Sequence, residues 1–351
     1  MPTPARKSPH TPPPPRTPAT YQRSVIDEFR ANGGRVGGPS AGSALLLLTT
    51  TGARSGAAHT VPLGLVRHDG LLYVVASDLG ADRHPAWYHN LLAHPLVRVD
   101  TGAGEFEAIA VPAEGDRRDR LFAHAVRVDS GYADHQARTA RTLPVVVLAP
   151  AAPDTPATPD TPAAPDATER PGDQPASVEV TTLADKLVEV HRWLRAQLRH
   201  VRAEADAYFA ARAAYEAREA YAGQGTYGGP GPGPGAEPPA PGLGLQLRQH
   251  CLAFCQTLQF HHTAEDGHVF PVVARHHPEL HDTLERLGRE HRTVARVHDA
   301  LLALLADLGG ADPQRFRTEL ARMSAELEAH LDHEEESLLP ALAAVPWPPG
   351  R

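Results

Sequence analysis

The sequence is poor in cysteine, with only Cys251 and Cys255 in 351 residues. Two thiols cannot form a disulfide framework, and thiols one helical turn apart are most often buried side chains of a helix. The sequence also lacks an apolar run of the roughly 18 to 20 residues that a membrane-spanning helix needs. The longest run, residues 44–48, has the length of a strand. These absences exclude a disulfide-rich secreted protein and predict no stable membrane insertion.

Positive charge is scarce as well. Lysine occurs only at Lys7 and Lys186, and the formal net charge is −8. A general nucleic-acid binder needs clustered positive charge to neutralise phosphates, so we expect no nucleic-acid partner. The N-terminus is rich in proline and threonine and lacks the apolar segment of a secretory signal, which predicts a cytoplasmic protein.

Three stretches are too rich in proline or glycine to form a packed core. They are a tail over residues 1–19, a linker over residues 151–177 and a Gly/Pro loop over residues 222–244. Proline recurs at every third position from Pro150 to Pro165, a pattern typical of polyproline II. Because such a spacer is extended, the flanking domains need not touch. We therefore expect two domains, residues 20–150 and 178–345, that fold and work separately.

The first domain has a mixed pattern dominated by short apolar runs. Turn residues such as Asp69-Gly70 join several of these runs as hairpins, and no G-x-G-x-x-G occurs here. Hairpin-linked strands with few helices favour an antiparallel barrel over a doubly wound parallel sheet. The predicted strands cover residues 45–51, 60–67, 71–77, 96–100, 105–111 and 144–148, and the predicted helices cover residues 21–31, 85–93, 116–128 and 134–141.

From residue 178 onward, apolar residues recur in alternating steps of three and four, as in amphipathic helices. Four such stripes joined by loops predict an antiparallel four-helix bundle. Several stripe positions that should be apolar instead carry residue types that ligate metals. An unpaired carboxylate or imidazole buried at such positions costs several kcal/mol, and a bound cation satisfies the whole set better than a purely structural network of hydrogen bonds. The residues are His191, His261, Glu265, His291, His298, His330 and Glu334.

Internal repetition strengthens the prediction of a metal site. The pairs His261/Glu265 and His330/Glu334 repeat one H-x3-E spacing, which places a nitrogen and an oxygen on one helix face. Histidine followed by arginine recurs in the other two helices, at His191 and His291. A helical hairpin used twice predicts two ligand sets around a shared dimetal core.

This half of the chain resembles the hemerythrin-like HHE cation-binding family over residues 180–345. The resemblance rests on His191, on the runs HHTAED…FP at residues 261–271 and REHR at residues 289–292, and on HLDHEEESLLP at residues 330–340. It implies a non-haem site with two iron ions that binds oxygen, senses iron or redox state, or handles peroxide. The implied ligands are His191, His261, Glu265, His291, His330 and Glu334.

In one position the sequence departs from that family. Its oxygen carriers have a second histidine one turn after the third-helix histidine, and Ala295 stands there instead. This departure argues against reversible oxygen carriage. Whether His262 or His298 supplies an additional ligand stays open at this point.

In the first domain, the run TTTGARSG at residues 49–56 brings hydroxyls, backbone N–H groups and a guanidinium to the tip of one strand. These groups bind phosphates, although a glycine-rich hairpin loop with an arginine is also structurally ordinary. The run HPAWYHNL at residues 84–91 and the later Tyr132 and His135 add further polar and aromatic candidates.

That ordered set is similar to the deazaflavin-dependent nitroreductase family, a split β-barrel group that uses coenzyme F420. The resemblance implies a six-stranded split β-barrel, with Ser77, Tyr132 and His135 near the reacting substrate. His59, Asp78 and Ala53 make the region less positive than in the family, so FMN, haem or another tetrapyrrole remains an alternative cofactor. The implied cofactor-binding residues are Thr51, Gly52, Arg54, Ser55, Gly56, His59, Ser77, Trp87 and Asn90.

Together, the two resemblances imply an α+β oxidoreductase. The barrel would transfer a hydride from a reduced deazaflavin to a small-molecule acceptor such as a quinone or a nitro compound, coupled to the di-iron bundle. The barrel would also offer a surface for a homodimer. The alternative is a non-catalytic sensor of metal or oxygen whose barrel binds a flavin, haem or other tetrapyrrole.

Overall fold

The structure is a computed structural model that describes residues 18–38, 41–151, 180–222, 244–306 and 308–346. The predicted tail, linker and Gly/Pro loop lie almost entirely outside the described residues. The described helices are α1 (Pro18–Ala31), α2 (Ala86–Ala93), α3 (Gly115–Val128), α4 (Gly131–Ala137), α5 (Leu183–Ala222), α6 (Gly244–Ala264), α7 (Phe270–His276), α8 (His281–Leu305) and α9 (Pro313–Leu342).

The first domain is built on one antiparallel sheet in which the strand order is β2-β1-β5-β6-β7-β4-β3. The two outermost strands in this order, β2 and β3, follow each other in the chain. The sheet is therefore curled into a half-barrel. Its strands are β1 (Leu45–Thr51), β2 (Ala58–Gly64), β3 (Val66–His68), β4 (Leu71–Val75), β5 (Leu96–Asp100), β6 (Glu105–Pro112) and β7 (Val145–Pro150).

The prediction of six strands is wrong in number, because the described part of the sheet has seven. The single strand predicted over residues 60–67 is divided at Leu65, where the chain changes partner. Residues before Leu65 pair with β1, and residues after it pair with β4. A continuous apolar pattern in the sequence does not reveal such a change of partner.

The half-barrel encloses an apolar core because alternate strand residues point to one face. Leu46, Leu48, Val97 and Val99 from β1 and β5 are buried there beside Trp87 of α2. A second cluster lies on the other side of the sheet, where α3 and α4 cover β4 and β7. Helix α2 is thus packed directly against the strands that end at the loop of residues 52–57.

The helical domain consists of four long helices and a short α7. Helix α5 packs on α6 and α9, and α8 packs on α9 and α6. Helix α9 begins at Pro313, and Asp312 caps it by accepting a hydrogen bond from the backbone N–H of Arg315 at 2.6 Å. A π-helical turn, Glu265–Val269, separates α6 from α7.

Two apolar clusters occupy opposite ends of the helical domain. The larger contains Leu194, Leu198, Phe254 and Leu327. The smaller includes Leu187 and other apolar residues at the opposite end of the helices. Most of the polar side chains buried in this domain lie between the two clusters. The candidate metal centre is therefore one layer of an otherwise apolar interior.

The two domains are in contact, contrary to the expectation that a proline spacer keeps their cores separate. Ala253 of α6 packs into a buried cluster with Ile109 and Val111 of β6 and with Ala151. The backbone carbonyl of Ala151 also accepts a hydrogen bond from the indole of Trp193 in α5. Even a long linker permits this docking, because it limits only the largest separation of its ends.

Among the described helices, none combines the length and the hydropathy needed to cross a membrane.

Candidate metal centre and cofactor groove

Seven buried side chains of metal-ligand type converge between α5, α6, α8 and α9. One group is formed by His191, His261, Glu265 and Glu334, and the other by His262, His291 and His330. Within each group, one candidate ligand atom per residue lies within 4.8 Å of all the others. All seven residues are buried, and Glu334 has no exposed surface at all. The predicted convergence of the two H-x3-E pairs is thus present in the structure.

The two carboxylates connect the groups. The Glu265 carboxylate lies 3.2 Å from His261 Nε2 in one group and 3.6 Å from His291 Nε2 in the other. Glu334 Oε2 lies 3.5 Å from both His191 Nε2 and His330 Nε2. Ligand atoms that share one metal ion at bonds of about 2.0 to 2.2 Å lie roughly 3 to 3.6 Å apart. Each carboxylate therefore lies within ligand distance of histidines from both groups.

Unpaired polar atoms show that the arrangement fits cations. Both oxygens of Glu265 and both of Glu334 lack a hydrogen-bond partner among the described residues, as do the Nε2 atoms of His262, His291 and His330. Buried polar atoms are almost always paired in folded proteins, and a purely structural network would have paired them with one another. The lone pairs of these atoms are therefore available to bind cations.

The outer nitrogens of three of these histidines are held by carboxylates. Glu335 lies 2.8 Å from His191 Nδ1, Asp266 lies 2.9 Å from His291 Nδ1, and Glu290 lies 3.1 Å from His330 Nδ1. Each carboxylate accepts the Nδ1 proton, which leaves the Nε2 lone pairs of His291 and His330 free, whereas His191 Nε2 lies 3.0 Å from His261 Nε2. Such pairs orient metal-ligating imidazoles and make them better donors.

Burial also sets the charge of the centre. Burial lowers the pKa of His261 to about 3 and also lowers the pKa of His262 and His330. These imidazoles are therefore neutral at physiological pH, as metal ligands must be. Burial and the facing Glu334 carboxylate raise the pKa of Glu265 to about 11, so that without a metal one proton stays on this pair of carboxyl groups.

The question of an additional ligand has a geometric answer. The ring of His262 stacks on His291 at 4.0 Å, and its Nε2 belongs to the group with His291 and His330. The side chain of His298 instead lies beside Asp299, with Nδ1 at 3.3 Å from its carboxylate, and belongs to neither group. By position, His262 is thus a candidate ligand, and His298 is not.

A groove in the first domain collects most of the predicted cofactor residues. Its volume is about 770 Å³, and it lies where the loop after β1 faces α2. The predicted residues that line it are Gly52, Arg54, Ser55, His59, Trp87 and Asn90, and the lining that sequence reasoning missed is Gln22, Ala53, Ala58, Thr60, Val61, Ala86 and His89.

Asn90 fixes the shape of this groove. Its Oδ1 accepts the backbone N–H of Ala53 at 3.1 Å, and its Nδ2 donates to Thr50 Oγ1 at 3.1 Å. The loop that carries Arg54 is thereby tied to α2. At Gly52, a Cβ atom would collide with Ser55 Oγ and would lie 2.9 Å from His59 Nε2. A side chain at this position would require the Ser55 and His59 side chains to move.

The donor set suits a phosphorylated aromatic cofactor. Arg54 and Ser55 are exposed at one part of the groove, and Trp87 supplies an aromatic wall beside Ala86. A guanidinium with a neighbouring hydroxyl binds phosphate, and an aromatic wall binds a ring system. The residues present therefore fit a deazaflavin with a phosphate tail.

Other predicted residues lie outside the groove lining. Thr51 ends β1 and Gly56 lies on the loop that follows, whereas Ser77 follows β4 and its backbone carbonyl accepts a hydrogen bond from Arg141 at 2.8 Å. The Tyr132 ring is buried in the second apolar cluster, and burial raises its pKa to about 12. The ring of His135 meets it edge-on at 6.1 Å. Their catalytic assignment stays a prediction.

Comparisons with known proteins match both halves of the chain. The family described as F420H(2)-dependent quinone reductase matches residues 21–150, and the hemerythrin HHE cation binding domain matches residues 182–342. The F420H(2)-dependent quinone reductase Rv1261c of Mycobacterium tuberculosis is 37% identical over 124 residues, which cover 34% of this chain and 83% of that protein.

Solved structures also match part of this chain. A structure titled as an F420-H2 dependent reductase is 38% identical, with a TM-score of 0.29, over 30% of this chain and 93% of that one. Another, described as a domain-swapped dimer, is 33% identical, with a TM-score of 0.30, over 38% of this chain and 99% of that one.

We predict that acid destabilises the metal-free helical domain. The pKa of His261, His262 and His330 is lower in the folded state than the ordinary 6.5, so below pH 6.5 the unfolded chain takes up protons that the folded chain refuses. Each such group lowers the free energy of unfolding by up to about 1.4 kcal/mol per pH unit of acidification. The raised pKa of Glu265 acts in the opposite direction, by one proton, and weakens the fold as the pH rises above about 4.5.

The net expectation is greatest stability near pH 6.5 and a steep loss toward pH 5. Urea unfolding of the chelator-treated chain, followed by circular dichroism at several pH values, measures it. His262→Gln should make the acid limb shallower, whereas His281→Gln, which changes an exposed histidine, should leave it unchanged. Equal stability at pH 5 and pH 6.5 in the parent chain would contradict the assignment of neutral buried imidazoles.

Proposed function

Since the chain belongs to the F420H(2)-dependent quinone reductase family, we propose that its half-barrel oxidises reduced coenzyme F420 and reduces a quinone, a nitro compound or a similar acceptor. The observation that carries this proposal is the groove in which Arg54, Ser55, Trp87 and Asn90 meet. The second candidate is a non-catalytic sensor of metal or oxygen whose half-barrel binds a flavin, haem or other tetrapyrrole without turnover.

The chain's residues would bind and orient the cofactor. Arg54 and Ser55 would hold the phosphate tail, and Trp87 would lie along the ring system. Asn90 would keep the loop and α2 at a fixed distance through its two hydrogen bonds. Reduced coenzyme F420, once bound, supplies a hydride, and the protein contributes position and exclusion of water.

For the helical domain we propose a centre of two iron ions. The residues that would hold the ions are those of the two groups, His191, His261, Glu265 and Glu334 together with His262, His291 and His330. Two iron ions would supply redox chemistry with oxygen or peroxide. The carboxylates outside the centre would keep the imidazoles oriented and retain their Nδ1 protons.

The contact between the domains supports coupling of the two sites through α6. The carbonyls of Leu91 and Ala93, in the last turn of α2, accept hydrogen bonds from Gln249 at 2.8 Å and from Gln256 at 3.0 Å. Arg248 donates to the carbonyl of Leu92 at 3.2 Å. Helix α6 thus caps the helix whose other residues line the groove, and it bears the metal-ligand histidines at its far end.

The distance along α6 between the contact with α2 and the metal-ligand histidines is short. Gln256 precedes His261 by five residues, or about 7.5 Å along the helix axis. A shift of α6 on metal binding would therefore be transmitted to the end of α2 by a rigid element. This supports a function in which the metal state of the helical domain alters cofactor binding or turnover in the half-barrel.

Activity tests the first proposal. The full chain should oxidise reduced F420 when menadione is added, which is followed by the absorbance of the cofactor. Arg54→Ala should raise the dissociation constant of F420 about 10- to 150-fold, because a charge-assisted contact to phosphate contributes about 1.5 to 3 kcal/mol. Turnover at saturating cofactor should change little, since the lost contact is equal in ground and transition states.

The matched variants are Arg54→Lys, which should recover part of the affinity, and Arg67→Ala, which removes an exposed arginine outside the groove. Unchanged F420 affinity in Arg54→Ala would show that this residue does not hold the tail. If neither parent nor variant binds F420 while both bind FMN or haem, the second candidate function replaces the first.

Metal analysis tests the proposed iron centre. The chain isolated after expression with iron should hold close to two iron atoms, and Glu265→Ala or Glu334→Ala should lose most of them. Unfolding should also become easier in these variants, because metal that binds only the folded state stabilises it. His298→Ala is the control, since it removes a histidine of α8 outside both groups. An isolated parent chain without transition metal would refute the proposal.

Coupling predicts that the affinity for F420 differs between the iron-loaded and the iron-free chain. Coupling free energies between sites usually change affinity about 5- to 150-fold. Ala253→Asp should abolish the difference, because a carboxylate among Ile109 and Val111 would undock the domains. Gln259→Asp, on the exposed face of the same helix, should preserve it. Equal affinities of the parent chain with and without iron would exclude coupling in binding.

A further inference from the structure

A third group of metal-ligand side chains lies apart from the proposed iron centre. It consists of His200 and Glu204, one turn apart on α5, and His250 on α6. His200 follows His191 by nine residues, and His250 precedes His261 by eleven, so the group lies about 14 to 16 Å away along the helix axes. No part of the function proposed above uses it.

The distances in this group are those of ligands around one small cation. The Glu204 Oε1 atom lies 3.2 Å from His200 Nε2 and 3.8 Å from His250 Nε2. The two rings meet edge-on with centroids 4.5 Å apart. Two ligands of a tetrahedral zinc ion, at bonds of about 2.0 to 2.2 Å, lie roughly 3.3 to 3.6 Å apart. Only small side-chain movements are needed to close around an ion.

Burial and unpaired polar atoms at His250 and Glu204 indicate that this group binds a ligand. Its residue is only 6% exposed, and its Nδ1 has no hydrogen-bond partner among the described residues. Its Nε2, at 3.8 Å from Glu204, is beyond hydrogen-bond distance. The Oε2 atom of Glu204 is buried and unpaired as well. A carboxylate oxygen left unpaired in this way is costly to bury, and a cation between the Glu204 carboxylate and the two imidazoles would offset that cost.

Neighbouring side chains hold the Glu204 carboxylate in place. Gln246 donates a hydrogen bond to Glu204 Oε1, and Arg117 of α3 donates to Gln246 Oε1 at 2.7 Å. These contacts orient the carboxylate from outside, as second partners of a metal ligand do. The side chain of His200 is 48% exposed, which leaves a route from solvent and room for a water ligand.

We propose that His200, Glu204 and His250 bind a divalent cation of the zinc class. Two imidazoles and one carboxylate suit zinc, with a fourth position for water. The ion would join α5 to the start of α6, the part of α6 where the backbone N–H of Leu245 donates to Glu114 of the half-barrel at 2.8 Å. It would thus hold together the region in which the two domains meet.

Zinc counting on the full chain tests the proposal. The chelator-treated parent is titrated with Zn²⁺ against a competing chromophoric chelator, and tightly bound equivalents are counted. His250→Gln should bind one equivalent fewer than the parent, or bind it with an affinity lower by on the order of 100-fold, because each ligand carries a share of the binding free energy. Zinc that enters the iron centre is common to both proteins and cancels in the difference.

His281→Gln is the matched control. His281 and Glu285 form the same i, i+4 pair at 3.6 Å, on an exposed face and outside the three metal-ligand groups of the described residues, so this variant should bind as many equivalents as the parent. His200→Gln, which changes a half-exposed side chain, gives a second reading if His250→Gln does not fold. Parent-like zinc counts and affinities in His200→Gln, or in a folded His250→Gln, would overturn the proposal.

Discussion

The structure of the helical domain depends on the cost of burying two carboxylates and five imidazoles in one layer. Without a compensating charge, this layer would be the weakest part of the interior, because none of the Nε2 and carboxylate atoms facing inward at Glu265, Glu334 and His291 has a hydrogen-bond partner among the described residues. Apolar clusters on both sides exclude water from it. The outer carboxylates Glu335, Asp266 and Glu290 then fix the imidazoles in the only orientation that is useful to a metal.

Periodicity predicted this layer well, and the limits of the prediction are geometric. Residues four apart share a helix face, so His261 with Glu265 and His330 with Glu334 could be paired from the sequence alone. On an ideal helix, His262 is displaced by about 100° from His261, so the apolar stripe that contains His261 does not include His262. Its place in the centre depends on the opposing helix, where its ring stacks on His291. The π-helical turn that begins at Glu265 is also invisible to a 3.6-residue period, and such turns recur at functional sites.

The sequence predicted the antiparallel class of the half-barrel and the loop after its first strand, but not the contacts between residues distant in the chain. The run of residues 49–56 indicated a phosphate loop because its chemistry is local. The hydrogen bonds by which Asn90 ties that loop to α2 join residues 37 and 40 positions apart, and a local pattern carries no signal for them. The same limit applies to Tyr132, which the structure buries beside β4 and β7 rather than in the groove. Docking of α6 on β6 could not be foreseen either, since composition defined the linker but not where its ends lie.

Helix α2 is short enough for its end contacts to decide its stability. It has eight residues, and the last four carbonyls of any helix have no partner within it, so half of the carbonyls of α2 depend on outside donors. Gln249, Arg248 and Gln256 of α6 supply donors to three consecutive carbonyls. An isolated helix of two turns is unstable in water. The half-barrel's groove includes Trp87 and Asn90 of this helix, and therefore the shape of the groove depends on α6 as well as on the sheet. The two domains are separate in sequence, but the helix that lines the cofactor groove is completed by residues from both.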